Sequence, residues 1–292
     1  MKRLLAWLLC GLMVAAMFAG CAKNTTDTTS GGAQAKTETT VEGNDSNLIV
    51  YTQKTLDQYF HVALQEELEK AVKAAGYEAE VTNCNNDSAV QVTQMQNTIA
   101  KKPKAIIANS VDSDGFNDAV EQAVAAGIPV IEVDNPASTA VVDGTVAFGN
   151  YELGEIAAEQ IAQKLTEKYG EAKGLVVDVY GAMSSECWRL RKDGFDSKMK
   201  EYPNIVVVET PGEGEQAKSQ DALTNVIAQY GEEIDAVFCP SDAPGIGCAE
   251  ALQMANMWVP IGEEGHVIFF TVYGEQTSVQ GIRDGYYDCT NV

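Results

Sequence analysis

Along most of the chain, short apolar runs alternate with longer segments of helical period. Lys104–Ala108 and Pro129–Val133 are short runs rich in β-branched side chains, and Leu48–Tyr51 and Tyr77–Val81 are read as strands before them. Apolar side chains toward both faces are what strands inside a parallel sheet require. Between these runs, Val62, Leu64, Leu68, Ala71 and Val72 recur on or near one helix face. So do Val92, Met95 and Ile99, and then Phe116, Ala119, Val120, Ala123 and Val124. This spacing predicts helices from about Phe60 to Ala75, from Ser88 to Ala100, and from Asp114 onward. Gly76 and Gly127 stop the first and the third.

A short strand is predicted over Val146–Phe148, and Asn150-Tyr151 opens a helix running to Lys168. The rhythm then restarts. Strands are predicted over Leu175–Tyr180, Ile205–Glu209, Ala236–Cys239 and Val267–Thr271, with helices between them and a last one over Ser278–Arg283. Repeated βα units predict an α/β fold of two lobes, each a parallel sheet with helices on both faces and the boundary near Asn150. Two such lobes leave a cleft between facing strand edges, where small molecules bind.

Polar residues gather where strands end: Asn109, Ser110, Asp112 and Asp114 after one strand, Asp134 and Asn135 after the next. The carboxyl edge of an open parallel sheet is where ligands sit. Amides and carboxylates there suit a ligand rich in hydroxyls.

The N-terminus changes the picture most. Lys2 and Arg3 precede an apolar run, Leu4–Phe18, too short to span a membrane but suited to a signal peptide. It ends in Phe18-Ala19-Gly20-Cys21, which is similar to a bacterial lipobox. The expectation is a lipoprotein signal peptide over 1–20, lipid attached to the Cys21 thiol, and export to the outer face of the cell membrane. A polar tract of Thr, Ser, Gly and acidic residues then predicts a flexible tether over 21–46. The folded body begins at about residue 47.

Charge and cysteine content exclude more than they assign. With 20 basic and 42 acidic residues and a net charge of −22, the chain lacks the basic patches that nucleic acid or an anionic membrane surface demands. Cys84, Cys187, Cys239, Cys248 and Cys289 have no CxxC spacing, and the two histidines, His61 and His266, are not near them in sequence. No metal site and no cofactor are expected. The thiols read as buried, with a Cys239–Cys248 bridge as the alternative.

The body from Leu48 to the last residue resembles the exported sugar-binding proteins of ABC importers, of the ribose/galactose-binding type related to LacI-type repressors. The likeness rests on NLIVYTQKTLDQYFHVALQEELEKAVKAAGYEAEV, KAIIANSVDSD, AGIPVIEVDN, FGNYELGEIAAEQI, RLRKDGF, AVFCPSDAPGIGCAEAL and GIRDGYYDCT, in the family's order. It implies a type I periplasmic binding protein that hinges shut around a monosaccharide or related polyol and delivers it to an ABC permease, as a monomer without chemistry of its own. A sensory protein that presents the ligand to a membrane receptor or histidine kinase is the alternative.

The resemblance also implies the ligand residues. Lys54, Asp57, Gln58 and Phe60 fall in the first sugar-contacting loop, with the Phe60 ring stacking on a sugar face. Asn109 and Asp134 fall on polar positions after strands, Asn135 where many relatives carry Arg, and Asn150 at the lobe crossing. A carboxylate such as Asp134 accepts from two hydroxyls. Arg189 falls on the arginine of the second lobe, facing Asp134 across the cleft. Ser241 and Asp242 stand where relatives have Asn-Asp, and Tyr273 where they have Asp. The aromatic that relatives carry near Gly214 is absent; Trp188 and Tyr151 are the alternatives for that surface.

The resemblance divides the body into an N-terminal lobe over 47–150, a C-terminal lobe over 151–289 and the start of a second hinge crossing at 290–292. About 35 further residues would complete the first lobe, judged from ordinary lobe size. No nucleophile elbow, phosphate loop or metal cluster is legible, so an enzyme is not expected.

Overall fold

The structure is a computed structural model that describes residues 45–292. The expected signal peptide, Cys21 and residues 21–44 of the tether lie outside the described residues.

The first lobe contains β1 (Leu48–Gln53), α1 (Tyr59–Ala74), β2 (Glu78–Asn83), α2 (Ser88–Ala100), β3 (Ala105–Ala108), α3 (Asn117–Ala125), β4 (Val130–Val133) and β5 (Gly144–Val146). The second contains α4 (Asn150–Tyr169), β6 (Gly174–Tyr180), α5 (Glu186–Met199), β7 (Ile205–Pro211), α6 (Gln216–Tyr230), β8 (Ile234–Phe238), α7 (Asp242–Met254), β9 (Ile268–Val272), α8 (Gln276–Arg283) and β10 (Cys289–Asn291). All pairings are parallel, in the orders β2-β1-β3-β4-β5 and β10-β9-β8-β6-β7. Read from the other edge, the second order repeats the first, so the lobes are two copies of one topology. Each changes direction at its second strand, and the crevice there opens at the carboxyl ends of β1 and β3 and of β6 and β8.

Local chemistry explains the departures from the predicted boundaries. Helix α3 starts at Asn117 and not at Asp114. The Asp112 carboxylate accepts from the Asp114 and Gly115 backbone N–H groups at 3.1 and 2.7 Å and holds those residues in a turn. Helix α7 starts ahead of Gly245 and takes in Pro244, which costs nothing in a first turn because its missing N–H would have no partner there. Strand β5 closes at Val146, so Phe148 leaves the sheet and turns its ring toward Phe60 and Tyr273. Strand β10 was not expected; it extends the second sheet by pairing with β9.

The second lobe has an apolar core on each face of its sheet, one under α4 and α5 and one under α6 and α7. Helices α4 and α5 meet at backbone distance. A Cβ on Gly154 would lie 2.1 Å from the Arg191 carbonyl oxygen, and one on Gly194 would lie 2.0 Å from that of Tyr151. That approach seats the inner face of α5 beside the start of α4, at the crossing between the lobes.

The first lobe is built less fully. Met95, Ile106, Val120 and Val130 form its core under α2 and α3. On the other face α1 covers β1 and β2. The rest is an open groove of about 540 Å³ lined by Leu64, Leu68, Ile107, Ile131 and Val146 among others. In the second lobe the matching strands β8 to β10 are covered by α4. Among the described residues no helix is long and apolar enough to cross a membrane, and all five described cysteines are free, Cys239 and Cys248 fully buried.

Candidate functional site

The strand ends of the two lobes meet directly. Gln58 Nε2, just before α1, donates to the Gly214 carbonyl at 3.1 Å, and the Phe60 N–H donates to Glu275 Oε1 at 3.2 Å. Ser113 N–H donates to the Ser184 carbonyl at 2.9 Å, and Glu186 N–H to Ser113 Oγ at 2.9 Å. The Cys187 N–H donates to Asn135 Oδ1 at 3.0 Å. This is a closed arrangement of the lobes.

Between them lies a polar and aromatic cluster. Asn109 Nδ2 donates to Asp134 Oδ2 at 3.3 Å, while Asp134 Oδ1, also buried, has no hydrogen-bond partner among the described residues. Asp134 sits at φ +61°, a left-handed conformation that Asp tolerates better than most residues, and its N–H donates to the Val146 carbonyl at 2.9 Å. Arg191 is completely buried. Its Nε donates to Asn150 Oδ1 at 2.9 Å, its Nη1 to the Pro240 carbonyl at 2.7 Å, and its Nη2 to the Tyr273 hydroxyl at 2.7 Å. The Tyr273 ring stacks on Phe60, and burial holds its phenol well above the usual range.

The sequence expectations divide here. Phe60, Asn109, Asp134, Asn150 and Tyr273 come together between the lobes. Arg189 does not; the correction is Arg191. Arg189 Nη1 donates to the Met183 carbonyl at 3.1 Å on the outside of the lobe. The signal was present in the helical period, since Cys187, Trp188, Arg191, Gly194 and Phe195 form one buried face of α5 and position 189 is off it.

Asn135 is buried but fully engaged. Its Nδ2 donates to the Ser110 carbonyl at 2.7 Å while its Oδ1 takes the Cys187 N–H, so it ties the lobes together. Asp242 faces into the second lobe, where its oxygens accept from Glu275 N–H at 2.6 Å and Thr290 Oγ1 at 2.8 Å. Ser241 Oγ is buried without a partner among the described residues, and Asp57 is exposed with no side-chain role in the cluster.

Beside the cluster is a cavity of about 200 Å³. Lys54, Gln58 and Asn86 line it from the first lobe, and Ser184, Ser185, Trp188 and the segment Glu213–Glu215 from the second. Trp188, and not Tyr151, supplies the aromatic wall. Gly214, at φ +72°, lets the loop lie against that ring; a Cβ there would be 2.9 Å from the indole. The cavity is the size of a small solute. His61 lies behind Lys54, and its imidazole is pushed down to about 4, first by burial and then by the Lys54 charge.

Fold and site together define a two-lobed α/β protein of the type I periplasmic binding class, with polar and aromatic groups converging between the lobes. The chain belongs to the periplasmic binding protein domain family, whose model matches residues 49–292. It is 29% identical to the ribose import binding protein of Escherichia coli over 69% of this chain and 66% of that protein. It is 30% identical to the ribose import binding protein of Bacillus subtilis over 69% of this chain and 64% of that one. The chain thus spans just under two thirds of the length of these relatives. Among solved structures, an ABC transporter solute-binding protein from Mycobacterium smegmatis with bound glycerol matches at 26% identity and a TM-score of 0.75, covering 84% of this chain and 81% of that one.

Proposed function

We propose that this chain is an extracytoplasmic solute-binding lipoprotein that captures a monosaccharide or related polyol between its lobes and delivers it to the permease of an ABC importer. The observation that carries the reading is the small cavity enclosed by both lobes, with Trp188 as a stacking wall and hydrogen-bonding groups from each side. Ligand that touches both lobes binds the closed form better than the open one, so it shifts the hinge equilibrium toward closure. The permease then reads the closed form. Asn109, Asp134, Asn150, Arg191 and Tyr273 are the neighbouring latch, and the ribose import relatives support a hydroxyl-rich ligand.

Lys2, Arg3, the apolar run to Phe18 and the Phe18-Ala19-Gly20-Cys21 sequence support export and a lipid anchor at Cys21. A thermal-shift screen of pentoses, hexoses, inositols and sugar acids is the test. A ligand present at a hundred times its Kd adds about 2.7 kcal/mol of stability, which is a clear shift. One strong responder is expected; a flat panel would sink the assignment.

A further inference from the structure

The cavity between the lobes contains one group that a neutral sugar does not explain. Lys54 is 93% buried, being 7% exposed, and lines the cavity. Among the described residues its ammonium has no hydrogen bond and no ion pair; the backbone N–H of Lys54 is bonded to Gln53 Oε1 instead. Burying an unpaired ammonium is costly, and a counter-charge from the ligand would offset that cost.

A second feature has the same sign. Helices α5 and α6 both begin at this cavity, through Ser184-Ser185 and Gly214-Glu215, and neither N-cap side chain bonds its own helix. Two helix N-termini of ordinary length add partial positive charge beside Lys54, although the first two N–H groups of α5 are taken by Ser113 Oγ and Asn135 Oδ1. The opposing groups are weaker. Glu213 and Glu215 are exposed at the rim, where solvent screens them, and Glu215 is paired with Lys218 at 2.7 Å. His61 of the first lobe lies within electrostatic reach of both Lys54 and Asp134, and among the described residues no ion pair joins Asp134 to Lys54.

We propose that the ligand of this cavity is a monoanionic polyol of the sugar-acid class, its carboxylate seated on the Lys54 ammonium and its hydroxyl-bearing body against Trp188. This rests on the solute-binding reading above and narrows it. Neither the ribose named for the relatives nor the glycerol of the neighbour carries such a group, so Lys54 is the residue that would set this chain's choice apart.

The test is calorimetric titration of the full chain with D-glucose, D-galactose, D-ribose and myo-inositol, with D-glucuronate, D-galacturonate and D-gluconate, and with glucose-6-phosphate. An acid should bind at least about tenfold more tightly than its neutral counterpart, the span of a charge-assisted hydrogen bond. Lys54→Met should lose between about tenfold and a hundredfold for the acid, and Lys54→Arg should retain most of it. Should Lys54→Met fail to fold, Lys54→Gln and the wild-type preference for glucuronate over glucose make the same decision. A neutral sugar that binds as well as its acid overturns this inference and leaves the solute-binding reading standing. Binding of glucose-6-phosphate alone overturns the carboxylate assignment. Silence across the whole panel overturns both.

Discussion

Tyr273 of the second lobe lies flat on Phe60 of the first, ring centroids 4.7 Å apart and planes 9° apart. The Arg191 guanidinium carbon is 4.4 Å from the Tyr273 ring centroid, and Phe148 packs edge-on against that ring at 5.6 Å. An aromatic pair of this kind adds about 0.5–1.5 kcal/mol beyond its buried area, and a cation on the ring adds more when desolvated. Tyr273 holds this position at φ +109°, a backbone conformation that costs on the order of 1–3 kcal/mol for a side chain of its size. The contact therefore works as a latch between lobes.

Tyr273→Ala should loosen the lobes. Small-angle scattering of the ligand-free variant should show a larger radius of gyration than the parent; an unchanged radius would remove Tyr273 from the latch. Tyr273→Phe keeps the stack but leaves one Arg191 donor unpaired, and should lower unfolding stability by about 1–3 kcal/mol.

Arg191 and Arg189 should behave as opposites. Arg191→Met leaves the Asn150 and Pro240 acceptors without their donor in a fully buried site, and should cost about 2–4 kcal/mol in denaturant unfolding together with ligand-induced closure. Arg189→Met is a surface change and should stay within about 0.5 kcal/mol of the parent. Equal losses in the two variants would contradict the assignment of Arg191 to the cleft.

Two buried groups give stability a pH dependence of opposite sign. Burial, with the Lys54 charge behind it, pushes His61 down to about 4 from 6.5. Its folded value lies below its unfolded one, so its contribution is whole above pH 6.5 and is lost as pH falls toward 4, by at most about 3 kcal/mol. Burial pushes Glu132 up to about 7 from 4.5, although its Oε1 accepts the Ala137 N–H at 2.8 Å; among the described residues its Oε2 has no partner. That contribution is whole below pH 4.5 and is lost as pH rises through 7. Urea midpoints measured from pH 4 to 8 should lose the acid decline in His61→Leu and show a smaller decline toward neutrality in Glu132→Gln, Asp178 being raised to about 7 by burial as well. Curves parallel to the parent would show that neither residue titrates as described.

Cys21→Ala in the exporting host should move the protein from the membrane fraction to the soluble extracytoplasmic fraction. A tether that persists after this change would rule out Cys21 as the anchor.

Much of the architecture was legible because its causes are local. Phe116, Ala119, Val120 and Ala123 share a face at 3.6-residue spacing whatever surrounds them, and Asn109 and Asp134 stand at strand ends wherever those strands are placed. Phe60 and Asn150 lie between the lobes, against Tyr273 and Arg191. The resemblance failed at Arg189 because two arginines stand two positions apart, and the helix face, not the motif, selects between them. Asp242 could not be judged from its neighbours. What occupies it is the Glu275 N–H and the Thr290 hydroxyl, brought to it by β9 and β10.

The sequence by itself determined two α/β lobes, the edges at which their polar residues gather, and the acidic balance of the chain, because periodicity, strand polarity and charge are properties of short stretches. Only the tertiary structure decided which polar groups join lobe to lobe and which stay open to a ligand. That choice depends on distances between segments far apart in the chain. Asn135 becomes a strut when Cys187 reaches it, Arg191 is drawn inward by the Gly154–Gly194 approach, and Lys54 is left buried with its charge unmatched among the described residues.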